Sequence, residues 1–343
     1  MTGPGSPGSG ELPGLPDPAP ILPSDRWRLA DSALWLVAAI GYLAFPAYRV
    51  LGSQVIITAL FALSLDLILG YAGIVSLGHT AFFGVGAYTA GILAVHGWGE
   101  PLTGLVAAAA TAALLGYATS FLVIRGRALA QLMITLGVGL LVLEAATKAA
   151  VVTGGVDGMS DIPMWRLFGI FRFDLAGSTA YAYSFAVALI SFVVVKRLVH
   201  SPFGLSLRAI RDNARRMPAL GAPVERRQIA VFTVGAALAG IAGGLLAQTT
   251  QFVGLDSLDF SRSAAVLIMV SLGGTGRLYG AFVGAGLFLV MQDTLARHSP
   301  EFWQLWLGGL LVAVVLFARG GVLGGAEAVN RAVSGWLARR RSR

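Results

Sequence analysis

Ser201-Pro202-Phe203-Gly204-Leu205-Ser206-Leu207-Arg208-Ala209-Ile210-Arg211-Asp212-Asn213-Ala214-Arg215-Arg216-Met217-Pro218-Ala219-Leu220-Gly221 is the stretch that decides how this chain is arranged. It sits inside a longer segment, Lys196 to Arg227, with eight Lys/Arg residues against two acids, Asp212 and Glu225. Apolar runs of bilayer-crossing length flank that segment on both sides. Basic loops are retained on the cytoplasmic side of a membrane, so residues 196–227 are expected to face the cytoplasm and to orient everything else. Leu207, Ile210, Ala214 and Met217 recur at helical spacing, while Arg208, Arg211, Arg215 and Arg216 occupy other faces. The pattern predicts a short amphipathic helix whose apolar strip rests either on a partner protein or on anionic headgroups.

Composition agrees with a chain built for lipid. Hydrophobic residues make up 56% of the 343 positions, charged residues 12%, and the mean hydropathy is +0.76. Soluble domains carry about 25% charged residues. The fold class is therefore all-α, a polytopic transmembrane bundle. Forty-five glycines suit helices in close contact, because small residues let backbones approach in lipid. With no cysteine, thiolate catalysis, disulfides and Cys-based metal sites are excluded. The four histidines, His79, His96, His200 and His298, show no metal-ligand spacing. A net charge of +8 resides in loops and at the C-terminus, and reads as topology and contact with anionic lipid rather than nucleic-acid binding.

Working outward, ten uncharged runs predict about ten crossings, at 32–48, 50–65, 80–96, 101–124, 128–150, 175–195, 228–250, 263–276, 278–292 and 302–318. Residues 1–25, holding seven of the 14 prolines, are expected to form a disordered tail without the pattern of a signal peptide. Residues 26–325 would form the membrane domain and 326–343 a basic cytoplasmic tail. The loop at 196–227, Arg125 with Arg127, Arg26 with Arg28, and the terminal Arg339-Arg340-Arg341 all agree with one topology, N-in and C-in. Residues 151–179 then lie outside, either as a lid or interfacial helix that a soluble protein could dock on, or as an idle loop.

The 33 residues from 67 to 99 contain no Asp, Glu, Lys or Arg. Within them, Gly70-Tyr71-Ala72-Gly73-Ile74-Val75-Ser76-Leu77-Gly78-His79-Thr80-Ala81-Phe82-Phe83-Gly84-Val85-Gly86-Ala87-Tyr88 is too glycine-rich for one unbroken helix, since each interior glycine costs about 1 kcal/mol. Irregular backbone at membrane depth needs protein or a water-filled cavity to satisfy it. Ser76, Gly78, His79, Phe82, Phe83 and Tyr88 are candidates to line a pathway there; the alternative is a tight helix contact with His79 hydrogen-bonded to a neighbour. Asp66, an ionisable group late in the second span, is a further candidate; the plainer reading puts it near the cytoplasmic end, within reach of water or an arginine. Glu144 and Lys148, at i and i+4, are expected to pair. No Walker A sequence, catalytic triad, paired carboxylates or zinc motif appears, so the chain is not expected to be an enzyme or to split ATP itself.

The Gly-rich run at 70–88, the Ser201–Asn213 stretch with Ala219-Leu220-Gly221 after it, and Leu272-Gly273-Gly274-Thr275-Gly276-Arg277-Leu278-Tyr279-Gly280 followed by Trp303-Gln304-Leu305 resemble the permeases of branched-chain amino acid ABC importers. The likeness spans roughly residues 50–325 and is nearer to the larger of the two paired permeases. Urea and short-chain amide importers share the pattern. The resemblance implies a bacterial-type inner-membrane subunit working by alternating access. It implies no cofactor in this chain, a second permease, two cytoplasmic ATPase subunits that bind the ATP, and an extracytoplasmic binding protein. It also implies that Arg208, Ala209, Ile210, Arg211, Asp212 and Asn213 form the coupling helix, with Phe203 and Leu220 shaping its loop. Asp66 departs from the family, where asparagine is expected. A rival reading is a self-sufficient carrier or channel, with Asp66, Glu144 and His79 as the candidate ion sites.

Overall fold

The computed structural model describes residues 29–298 except 127, 168, 170 and 172–176, and isolated positions between 301 and 325. The expected tails at 1–25 and 326–343, Arg26, Arg28 and Arg127, Trp303 and Gln304, and most of the run at 302–318 lie outside the described residues. Among the described residues there is no β-strand, only two isolated bridges.

The helices are α1 (Leu29–Ala44), α2 (Arg49–Asp66), α3 (Thr80–Val95), α4 (Pro101–Arg125), α5 (Ala128–Lys148), α6 (Ala150–Thr153), α7 (Ser178–His200), α8 (Pro202–Asn213), α9 (Val224–Thr250), α10 (Phe260–Gly273) and α11 (Leu278–His298). A wide π-turn, Leu67–Tyr71, extends α2 to 23 residues. Six helices among the described residues are long and apolar enough to cross a bilayer: extended α2, α4, α5, α7, α9 and α11. Three shorter apolar helices, Trp35–Ala44, Thr80–Val95 and Phe260–Gly273, account for the remaining expected runs before residue 300. Several helices outrun their charge-free stretches. α9 begins at Val224, because Glu225, Arg226 and Arg227 form polar first turns ahead of the apolar body, and α11 continues through Asp293 and Arg297 to His298.

Burial separates an inner pair from an outer pair. The apolar windows of α2 and α9 are 72% and 61% buried, whereas those of α4 and α5 are 28% and 17% buried. α9 earns its central place by being small-sided: Gly235 meets Ile68 of α2, Gly240 meets Ala108 and Ala112 of α4, and Gly243 meets the backbone of Phe83 and Ala87 in α3. Close backbone approach of this kind supplies dense dispersion contact where lipid offers no hydrophobic drive. α5 is held differently. Gly78 lies so close that a methyl group there would overlap the Thr135 carbonyl, and Leu77 N–H donates to Thr135 Oγ1 at 3.1 Å. At its far end Lys148 and Glu144 pair at 3.6 Å, both largely exposed, as their spacing predicts.

The segment after α5 is tied to two other loops. Met159 and Val253 exchange backbone hydrogen bonds of 2.8 and 3.0 Å, and Trp165 N–H donates to Gly99 O at 2.8 Å. The Trp98 and Trp165 rings stack at 6.4 Å. These links make residues 159–165 a strap between the α3–α4 connection and the α9–α10 connection.

Candidate functional site

α8 lies against the end of extended α2. Gly204, Leu207 and Ile210 form its buried side, and a methyl at Gly204 would strike the Val199 carbonyl at the close of α7. The expected apolar strip is thus shifted by one turn: the helix ends at Asn213, so Ala214 and Met217 lie beyond it. Two arginines on α8 reach the π-turn. Arg211 Nη1 donates to the carbonyl of Gly70. The Arg208 guanidinium lies 5.4 Å from the centre of the Tyr71 ring, and its Nη2 donates to Val199 O at 3.3 Å. Asp212 and Asn213 are exposed; Asp212 stands 3.7 Å from Arg211 Nε, and Asn213 Oδ1 accepts Arg216 N–H at 3.2 Å. Ala209 is half-buried, Phe203 lies beneath the Arg227 guanidinium at 5.3 Å, and Leu220 is 78% exposed in a 3-10 turn, Pro218–Leu220.

Beside the same Gly70 carbonyl lies the α10–α11 connection, with Gly276 close to Arg211. Asp66 is fully buried, and its Oδ1 accepts Gly276 N–H at 2.7 Å. Gly276 adopts φ +76°, a left-handed conformation that a side chain would disfavour. A methyl on Gly70 would meet both Asp66 Oδ1 and the Gly276 backbone. The π-turn is therefore gripped twice, by the α8 arginines and, through Asp66 at its start, by a backbone amide 210 residues away in sequence. π-Turns inside α-helices concentrate at functional positions.

One turn further along α2, the irregular segment 72–79 returns toward the core. His79 Nε2 is 2.9 Å from Ser64 Oγ, and Ser64 Oγ donates to Phe61 O at 2.6 Å. The single hydroxyl proton is thereby committed to Phe61, so the imidazole N–H is the donor to Ser64. His79 stacks on Phe61 (5.5 Å, 8°), Phe61 packs on Phe83 (4.6 Å), and Phe82 bridges His79 and Phe232 of α9 at 5.5 Å to each. The first turns of α3 and α10 meet where Thr80 N–H donates to Ser263 Oγ at 3.0 Å. Ser76 is buried with no hydrogen-bond partner for its hydroxyl. Tyr88 lies elsewhere, in a separate apolar cluster with Ala87, Met159 and Leu258.

Beyond Phe61 and Phe83 opens a cavity of about 830 Å³ between α2, α10 and α11. Of the residues singled out in the sequence, Phe83 alone lines it; Asp66, Ser76, Gly78, His79, Phe82 and Tyr88 do not. Three charged residues on its rim, Asp256, Asp259 and Arg262, were not picked out from the sequence, although three charges at i, i+3 and i+6 just ahead of an apolar span are a readable signal. No cluster of metal-ligating side chains exists among the described residues.

Residues 50–315 match the family described as branched-chain amino acid transport system / permease component. The high-affinity branched-chain amino acid transport system permease protein LivM of Escherichia coli (strain K12) is 31% identical, over 91% of this chain and 80% of its own length. LivM of Salmonella typhimurium is 32% identical, over 88% and 77%. LivH of E. coli is 24% identical, over 78% and 92%. No solved structure matches.

Proposed function

The chain belongs to the branched-chain amino acid transport system permease family, and from that premise we propose that it is the membrane-spanning subunit of an ATP-driven importer for branched-chain or related amino acids. It pairs with a second permease, takes substrate from an extracytoplasmic binding protein, and receives mechanical work from two ATPase subunits. ATP is bound by those subunits and not by this chain. The chain lies in a bacterial inner membrane with both termini in the cytoplasm and about ten crossings.

The observation that carries this reading is the double grip on the π-turn. α8 presents exposed Asp212 and Asn213 outward while Arg211 and Arg208 hold Gly70 and Tyr71 inward. A push on α8 by a motor protein is thereby delivered to the one place where α2 departs from regular helix, and from there through Asp66 to the α10–α11 connection. Rocking of α10 against α2 would then switch the side to which the pathway opens, as broken helices do in other transporters. Exposed Leu220 is free to enter the same partner surface.

Charge reversal in the double variant Arg208→Glu/Arg211→Glu tests the coupling. ATP-driven uptake by the assembled transporter is expected to vanish while membrane insertion and pairing with the second permease persist. Normal uptake by that variant would remove α8 from the coupling path. Gradient-driven uptake by this chain alone in liposomes would instead favour a self-sufficient carrier.

A further inference from the structure

We propose that the groove between α1, α2 and α11 holds one acyl chain of an anionic phospholipid, with the phosphate at Arg49 and Arg297. The inference goes beyond the importer reading and needs only a bilayer around the chain. The groove encloses about 680 Å³, and its walls are mostly apolar, with Trp35, Leu51, Val55, Phe282 and Val290 among them. The lining runs from Trp35 to Phe45 on the α1 side and from Tyr48 to Ala59 on the α2 side, about 15 Å along the helix axes. That is half of a hydrocarbon core about 30 Å thick, the depth of one leaflet. Gly41 helps to keep the space open, since a methyl there would meet only the Tyr181 hydroxyl, at 3.8 Å. That hydroxyl is already given to Ala38 O at 2.7 Å. Trp35 stands edge-on to Phe282 at 5.4 Å and closes the deep end with aromatic surface.

The charged residues that line the groove, Asp293, Arg297 and His298, all lie at the close of α11. Arg297 Nη2 is 2.9 Å from Asp293 Oδ2, and its guanidinium lies 5.8 Å from the centre of the Tyr48 ring. Its side chain keeps 59% of its exposure, so a second anion can reach it. Arg49, next in the chain to Tyr48, lies 4.5 Å from the centre of the Tyr42 ring and has no carboxylate at ion-pair distance among the described residues. Two guanidinium groups thus stand against one carboxylate, and the mouth is cationic. Guanidinium and phosphate pair through charge-assisted hydrogen bonds in a fixed fork geometry. α2 starts at this mouth and meets α8 at its other end, so the mouth belongs to the leaflet away from α8. The rule that retains basic loops on the α8 side gives no reason for two arginines here; an anionic headgroup above an acyl-sized groove does. The next apolar run of the chain sends Gly308 to the cavity on the other flank of α2, not to this groove.

Because the chain has no cysteine, Val290→Cys gives it one thiol for a bimane probe at an exposed position of the groove wall. Val106→Cys does the same on the exposed side of α4. The assembled transporter, with its other subunits free of cysteine, is reconstituted in phosphatidylcholine vesicles containing phosphatidylglycerol brominated along its acyl chains, which quenches bimane on contact. Phosphatidylglycerol is expected to be preferred over phosphatidylcholine about tenfold at Val290→Cys, two basic groups each adding several-fold, and to show no preference at Val106→Cys. Arg49→Gln/Arg297→Gln should bring the groove down to the value of the α4 position, and unchanged quenching on α4 shows that this variant keeps its bundle. Gly41→Leu, which fills the open space and leaves both arginines in place, should lower quenching in the groove by itself. Excess inorganic phosphate should change nothing. Absence of quenching at Val290→Cys would show that protein covers the groove, be it a second copy, a partner subunit or the N-terminal tail. That result, equal preference at the two positions, a preference that survives the double substitution, undiminished quenching in Gly41→Leu, or competition by inorganic phosphate would each overturn the site.

Discussion

The two ends of α10 are built on opposite principles. At its C-terminal end, Gly273 is pressed against Gly280 of α11 and Gly276 against Gly70 and Arg211, and Asp66 is buried there and bonded to a backbone amide. At its N-terminal end, about 20 Å away along the helix axis, the contact gives way to a cavity lined mostly by apolar side chains, with Gln54, Thr58 and Gln292 set among them and exposed charges at Asp256 and Arg262. The closed end resists change because its glycines meet backbone and held side chains with no space to spare. The open end leaves beside the helix a space of the size usual for a small molecule.

The largest effect expected from breaking this contrast comes from Gly70→Val. Overpacking at the closed end should cost about 1–3 kcal/mol and abolish uptake, while Thr58→Val at the open end should leave thermal stability in detergent unchanged; equal melting behaviour of the two would erase the distinction. Next comes Asp66→Leu, which leaves the Gly276 N–H without a partner at a cost of about 1–3 kcal/mol. Asp66→Asn keeps an acceptor oxygen at the same place and should recover most of the loss, also as measured by thermal unfolding. Ser64→Ala removes the partner of His79 Nε2 and should destabilise by about 1 kcal/mol, with uptake reduced but present in a transport assay. Smallest of all is Lys148→Ala: an exposed ion pair at the rim of α5 contributes little, and neither stability nor uptake should move measurably.

Much of the architecture is legible in the residues themselves. Charges bound the runs, Pro101 and Pro202 open α4 and α8 at the first helical position, and the glycines of 70–78 mark the break after α2. The site is less legible, because its decisive contacts join distant parts of the chain. Nothing local to Asp66 announces Gly276, and nothing local to Thr80 announces Ser263, 183 residues away. Arg262 was passed over because it stands just before an apolar run and reads as a boundary charge; only the fold turns Phe83 and Asp256 toward it. The apolar strip of α8 was read one turn too late for a similar reason. Periodicity alone shows Leu207, Ile210, Ala214 and Met217, and gives no hint that Gly204 is the residue wedged beneath Val199.

The wide turn at Leu67–Tyr71 has a mechanical corollary. A turn closed by i→i+5 bonds holds one more residue than the regular helix needs, which is a small store of slack. Winding that slack into α-helical register would swivel everything beyond it by about 100° and draw it along the axis by about 1.5 Å. The Gly70 carbonyl would then swing away from Arg211. A single residue of surplus backbone would thus let the end of α2 step between two registers.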